Sequence, residues 1–96
     1  MDRQAFEASL KDDAPPAAAS TPLKAMWHAA KDEWETAHGL AQSDDSAESA
    51  WVHAHLHRIE GDLDNAGYWY NRAGRPKSDA PLKDEWAEIV GALAGS

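Results

Sequence analysis

Residues 46–74 read SAESAWVHAHLHRIEGDLDNAGYWYNRAG, and this stretch decides the fold because it carries two helix signals in succession. Ser46 is a good N-cap for a first helix, and Gly61 stands where the end of that helix favours a left-handed residue. Asp62 can cap a second helix, which ends at Gly74. The stretch therefore predicts an antiparallel helical hairpin.

An earlier part of the chain repeats this pattern. The segment KDEWETA at 31–37 aligns with EGDLDNA at 60–66, a shift of 29 residues. Apolar residues recur every three or four positions through 22–42, so periodicity alone permits one long helix there. Asp32 followed by Glu35 is a possible capping box for a new helix. Because the second half is a hairpin, we favour the break and predict a first hairpin over 22–42.

Three segments flank the hairpins. Apolar residues one turn apart predict a short N-terminal helix within 1–10, and the Pro-Pro pair makes 11–21 an extended connector. The N-terminal segment is therefore expected to pack loosely. The last helix, over 81–94, has a narrow apolar stripe that includes Trp86, as expected for a helix that closes the edge of a stack.

The composition indicates one all-α domain. The chain has 96 residues, enough for a single core, so 1–96 is expected to be one domain. It contains 20 alanines but only 6 valines, isoleucines and threonines together, and this balance favours helices over strands. Five tryptophans are a large supply of apolar surface for so short a chain, and we expect four of them in the core.

The second hairpin resembles a tetratricopeptide-type repeat. The residues that carry the resemblance are Ala50, Trp51, Ala54, the turn at 61–66, Tyr70, Ala73 and Pro76. The resemblance covers 50–76 well and 22–41 weakly. It implies antiparallel hairpins stacked in a short right-handed array, with 81–94 as a C-terminal capping helix. It also implies a module that binds proteins or peptides.

Charge and composition exclude several classes of partner. Lysine and arginine number 9 against 17 acidic residues, for a net charge of -8, which argues against nucleic acid and against an anionic membrane surface. Without cysteine, disulfides and thiolate metal sites are excluded. The N-terminus lacks a signal-peptide pattern, and no stretch approaches the roughly 18 apolar residues of a membrane span. We therefore expect a cytoplasmic protein.

One basic cluster interrupts the acidic sequence. Its members are Tyr68, Arg72, Arg75 and Lys77. Tyrosine and arginine are common at interface hot spots, so the cluster is a candidate site for an acidic peptide, a carboxylate or a phosphate. In the alternative interpretation, Arg72 pairs with Asp64 or Asp84 and stacks on Tyr68, with a structural role only.

Histidines form a second candidate site. His53 and His57 are one turn apart, and Glu60 joins them on the face opposite the predicted apolar arc. Such a pair with a carboxylate can bind Zn²⁺, Ni²⁺ or Cu²⁺, although exposed histidines on a solvated face also bind metal adventitiously. His55 lies inside the apolar arc. We expect it to be a core histidine bonded to a backbone carbonyl, with a buried proton switch as the alternative.

No arrangement of nucleophile, base and acid is recognisable, so we predict no catalytic residues and no required cofactor. The favoured function is a non-enzymatic interaction module for a protein or acidic peptide. A metal-binding or small-ligand protein that uses the exposed histidines, with Zn²⁺ or Ni²⁺, is one alternative. A small homodimer with a tryptophan-rich seam is the other.

Overall fold

The computed structural model describes residues 2–94, and every regular element in that range is helical, so the all-α prediction is confirmed. The α-helices are α1 Arg3–Ala8, α2 Thr21–Ala30, α3 Trp34–Gln42, α4 Ala47–Ile59, α5 Leu63–Ala73 and α6 Leu82–Ala94, and a 3₁₀ turn at Ser9–Lys11 extends α1. Over the same residues, no helix has both the length and the apolar character needed to cross a bilayer.

Serine side chains begin two of the helices. Ser46 accepts a hydrogen bond from the backbone N–H of Ser49 at 3.1 Å, so it caps α4 as its sequence position predicts. At the start of α2 the cap is Ser20, whose hydroxyl oxygen accepts from the backbone N–H of Leu23 at 3.4 Å. Pro22 follows within the first turn, where its missing N–H leaves no helical hydrogen bond unmade.

Three helices end in the same kind of turn. Each turn has one residue with positive φ, namely Asp32 (61°), Gly61 (83°) and Gly74 (70°). The next backbone N–H then donates to a carbonyl five residues earlier: Glu33 to His28 (2.9 Å), Asp62 to His57 (2.9 Å) and Arg75 to Tyr70 (3.0 Å). These are the hydrogen bonds of a Schellman cap. The chain therefore breaks between α2 and α3 through a turn like the one between α4 and α5, 29 residues later.

Helix α4 is the centre of the molecule. It packs against α2, α3, α5 and α6, and every residue from Ser49 to His57 is buried. The expectation of a solvated histidine face was therefore wrong, since His53 is 3% exposed and His57 is 5% exposed. Because four helices pack around the buried part of α4, helical phase within α4 could not separate an inner from an outer face.

The N-terminal segment packs firmly onto this core, contrary to the loose packing expected for it. Phe6 in α1 is fully buried and lies near Trp86 of α6, with ring centroids 6.2 Å apart. Trp27 of α2 donates its indole N–H to the carbonyl of Ser9 at 3.2 Å. These contacts connect the N-terminal segment to α2 and to α6.

The tryptophans all contribute to the core to some degree. Trp27 and Trp51 are buried, and the other three are partly buried and pack against the core. Leu63, the first residue of α5, is 66% exposed. That helix packs instead through Ala66 and Tyr70, both 2% exposed, which leaves Leu63 at the edge of the contact.

Candidate metal centre

Three histidines from two helices meet between α3 and α4. His53 and His57 lie one turn apart on α4, and His38 faces them from α3. One ring nitrogen of each lies within 4.8 Å of the other two. The Nε2 atoms of His38 and His53 are 2.9 Å apart. The structure thus brings together the two histidines that the sequence identified and a third that it did not.

These distances suit either a hydrogen bond or a shared ion. Zinc binds imidazole nitrogen at about 2.0 to 2.1 Å, which places two tetrahedral ligands about 3.3 Å apart. An outward shift of a few tenths of an ångström would bring His38 and His53 to that separation. Without an ion, the same two nitrogens can share one N–H···N hydrogen bond.

Glu60 lies on the outer side of His57. Its Oε1 is 2.6 Å from His57 Nδ1, which leaves Nε2 as the nitrogen that His57 can offer to a ligand. A carboxylate on the second nitrogen of a metal-bound histidine fixes the ring orientation and raises its basicity. His57, Glu60 and Asp62 also form a second group within 4.8 Å, but both carboxylates are exposed and Asp62 already caps α5. Glu60 is therefore better suited to orient His57 than to complete the histidine group.

Two tryptophans form the walls of the cluster. The Trp34 ring stacks on His38 with centroids 4.7 Å apart, and the Trp69 ring stacks on His53 with centroids 3.8 Å apart. Trp34 is itself held by its indole N–H, which donates to the carbonyl of Leu56 at 2.7 Å. The imidazole planes are consequently fixed by packing before any ligand arrives.

The surroundings of His38 and His53 favour the uncharged forms of these two rings. Burial lowers the pKa of His53 to about 4, and the neighbouring His38 and His57 add to this effect. Burial and His57 also lower the pKa of His38, against an opposing contribution from Glu60. His53 Nδ1 is buried and has no hydrogen-bond partner among the described residues. Neutral imidazole is the form that binds metal ions.

A separate network surrounds His55 on the same helix. His55 Nδ1 lies 2.7 Å from Glu85 Oε1, so its partner is a buried carboxylate of α6 and not the backbone carbonyl expected from the sequence. Arg58 donates to the same oxygen at 2.8 Å, and the Tyr70 hydroxyl donates to Oε2. Burial alone would raise the pKa of Glu85, but hydrogen bonds from His55 and Tyr70 outweigh it and hold the pKa below its ordinary value.

In the basic cluster, Arg72 contacts aromatic rings. Its Nη1 donates to the Tyr68 hydroxyl at 3.1 Å, and its guanidinium lies 5.8 Å from the Tyr68 ring and 5.2 Å from the Trp69 ring. Within residues 2–94 no ion pair joins Arg72 to Asp64 or Asp84, so the alternative interpretation was wrong about the pairing, while the contact with Tyr68 is present.

The other two cations of the cluster also cover neighbouring groups. Arg75 lies over the Trp51 ring at 3.7 Å, which explains how that indole is buried beside an exposed loop. Lys77 lies along α5 at Gly67, where its Cε would be 2.8 Å from an added Cβ. Across the described part of the chain neither cation takes part in an ion pair.

His38 is the residue that sequence reasoning missed. It follows Trp34 by one turn of α3, so the two side chains lie on the same face of that helix. If Trp34 faces the core, His38 faces it too. The four-residue spacing from Trp34 was therefore the signal in the sequence that could have identified His38.

Comparison of the chain with protein-family models, with curated proteins and with solved structures found no significant match.

Proposed function

We propose that this protein binds one late first-row divalent metal ion, Zn²⁺ or Ni²⁺, through His38, His53 and His57. The observation that supports the proposal is the convergence of three imidazole nitrogens within 4.8 Å from two packed helices. Imidazole suits both ions, and three histidines are an established donor set for zinc.

The residues around the histidines suit this role. Glu60 orients His57 from outside, and the indoles of Trp34 and Trp69 hold the other two rings. Three protein ligands leave a fourth position on a tetrahedral ion for water or another small ligand. Because His38 is only partly buried, an ion can enter from its side of the cluster.

The test is a titration of the full chain with ZnCl₂ or NiCl₂ after treatment with a chelator, followed by calorimetry and tryptophan fluorescence. We expect one saturable site in the micromolar range or tighter. The variant His38→Gln should weaken binding by at least about tenfold. His28→Gln is the matched control, because His28 is a partly buried histidine of α2 outside the cluster.

Two results would contradict the proposal: no saturable binding to the unmodified chain, or equal weakening by His38→Gln and His28→Gln.

A third variant tests the role of Glu60. Glu60→Gln keeps the side chain's size but removes its charge, so it should weaken metal binding by about 10-fold or more while leaving the 1:1 stoichiometry unchanged.

The basic cluster supports a second candidate function, binding of an acidic protein or peptide. Three cations on a chain of net charge -8 have no ion-pair partner among residues 2–94, so their remaining N–H groups are available to carboxylates.

The shared turns at Asp32 and Gly61 support a related proposal, that the two hairpins stack as in a tetratricopeptide-type array with α6 as the cap.

A fluorescent peptide rich in aspartate and glutamate tests the second function. Arg72→Glu should weaken its binding strongly, because the variant reverses the charge at the centre of the cluster. Lys83→Glu, the same charge reversal at an exposed position on α6, should have only the small effect of net charge. Equal effects of the two variants would contradict a specific site.

A further inference from the structure

A cleft lies on the side of α4 that carries His55. It is about 440 Å³ in volume and runs between the ends of α2 and α4 and the start of α6. Ile59 and Leu82 line it and are 40% and 38% exposed, which makes them two of the four large apolar side chains that the described residues leave exposed. The Trp86 indole forms another part of its wall. None of the three clustered histidines lines this cleft, so it is a separate site.

The cleft has one hydrogen-bonding group among its buried lining residues. His55 is 1% exposed, whereas the charged lining residues Asp32 and Lys83 are exposed and lie at the rim. The indole N–H of Trp86 is already used, because it donates to the carbonyl of Met26 at 2.9 Å. His55 is therefore the polar side chain that a ligand would meet away from the rim.

The network behind His55 fixes what that ring can offer. Glu85 Oε1 accepts from Arg58 and from His55 Nδ1, and Arg58 already balances the carboxylate's single negative charge. The neutral tautomer with its proton on Nδ1 completes this arrangement without adding an uncompensated charge. Nε2 is then a hydrogen-bond acceptor, and among residues 2–94 no hydrogen bond occupies it.

We propose that the cleft binds a small apolar molecule that carries one hydroxyl group, a phenol or a medium-chain alcohol. The hydroxyl donates to His55 Nε2, and the apolar body packs against Ile59, Leu82 and Trp86. The volume lies within the range of about 300 to 1,000 Å³ that is usual for small-ligand sites. Mainly apolar walls with one fixed polar group are the usual composition of such sites.

The test compares p-cresol with 4-methylanisole in titrations of the full chain, followed by calorimetry and by NMR shifts of the Trp86 indole N–H. The two probes have similar shapes, but only p-cresol has a hydroxyl hydrogen to donate. We expect saturable 1:1 binding of p-cresol and at least about tenfold weaker binding of the ether, because one hydrogen bond is lost. Equal affinities, or no saturable binding of p-cresol, would overturn the proposal.

A pair of leucine variants locates the site. Leu82→Glu places a charge at the mouth of the cleft and should weaken p-cresol binding at least about tenfold. Leu63→Glu is the matched control, because Leu63 is an exposed leucine on α5 outside the cleft. Equal effects of the two variants would overturn the proposal. Light scattering tests a rival occupant, a second copy of the chain. A mass above 10.5 kDa that Leu82→Glu lowers and Leu63→Glu does not would show that the second copy fills the cleft, and it would also overturn the proposal.

Discussion

His53 and Trp69 stack face to face, with ring centroids 3.8 Å apart and planes 12° from parallel. This contact joins α4 to α5 and closes one side of the histidine cluster. On the other side His53 Nε2 lies 2.9 Å from His38 Nε2, so the ring is enclosed by groups that cannot balance a positive charge. Protonation of His53 would therefore place an uncompensated charge inside the molecule.

Acid should destabilise the metal-free protein through His53. The pKa of His53 is lowered to about 4 in the folded state, while an unfolded histidine titrates near 6.5. Between these values the unfolded chain binds more protons, so stability is fully present above about pH 6.5 and decreases as the pH falls towards 4. We expect this histidine to contribute a loss of about 3 kcal/mol in the free energy of unfolding across that window.

Urea unfolding of the chelator-treated chain at pH 7 and pH 4 measures this loss, and His53→Phe provides the comparison. Phenylalanine keeps an aromatic ring for Trp69 to stack on but does not titrate. The unmodified chain should lose about 3 kcal/mol more than the variant. Equal losses would show that other groups, such as the carboxylates, cause the acid sensitivity.

Replacement of Glu85 by glutamine should destabilise the fold more than any surface charge change. The amide cannot accept from His55, Arg58 and Tyr70 together, and it leaves the Arg58 guanidinium without its counter-charge. Loss of one partner in a buried ionic group costs about 3 kcal/mol or more. Denaturant unfolding of Glu85→Gln at neutral pH measures this cost.

Glu88→Gln is the matched control because Glu88 is an exposed glutamate one turn later on α6. It should change the free energy of unfolding by less than about 0.5 kcal/mol. If Glu85→Gln were equally mild, the Glu85 network would not stabilise the fold to the extent that its hydrogen bonds indicate.

The fold was predictable where local signals agreed. Ser46, Gly61 and Gly74 mark helix ends through backbone chemistry that depends on neighbouring residues alone, and the structure has helix ends at each of them. Alanine content fixed the all-α class for a similar reason. These features require no knowledge of which helix packs against which.

The candidate site was predictable only in part, because it depends on packing between helices. Helical phase correctly grouped His53 with His57 but placed them in solvent, since α3 and α5 cover a face that one helix alone would leave open. His38 and Glu85 come from other helices, 15 and 30 residues from their histidine partners. No spacing rule within a single helix reaches so far along the chain.

Truncation of Phe6 should destabilise the whole domain, although α1 has only six residues. Phe6 is fully buried and packs near Trp86 of α6, so Phe6→Ala would remove the anchor of the N-terminal helix. A buried phenylalanine replaced by alanine costs about 3 kcal/mol or more. The measurement is denaturant unfolding, with Leu63→Ala as a control that removes an exposed apolar side chain.

A change near zero for Phe6→Ala would mean that the N-terminal segment is dispensable for the fold. A loss as large for Leu63→Ala would mean that the effect reflects side-chain size in general, since Leu63 is 66% exposed.

Asp32 and Gly61 occupy equivalent turns, and a substitution at each position tests the cost of its left-handed backbone conformation. Both have positive φ, at 61° and 83°, which costs a residue with a side chain about 1 kcal/mol. Asp32→Gly should therefore stabilise the first turn, and Gly61→Ala should destabilise the second by about 1 kcal/mol. Apart from the two flanking residues, no atom of residues 2–94 lies within 4 Å of a Cβ added at Gly61, so backbone strain alone would account for its loss. In thermal unfolding, the melting temperature should rise for Asp32→Gly and fall for Gly61→Ala. Stabilisation by Gly61→Ala would contradict the shared turn geometry.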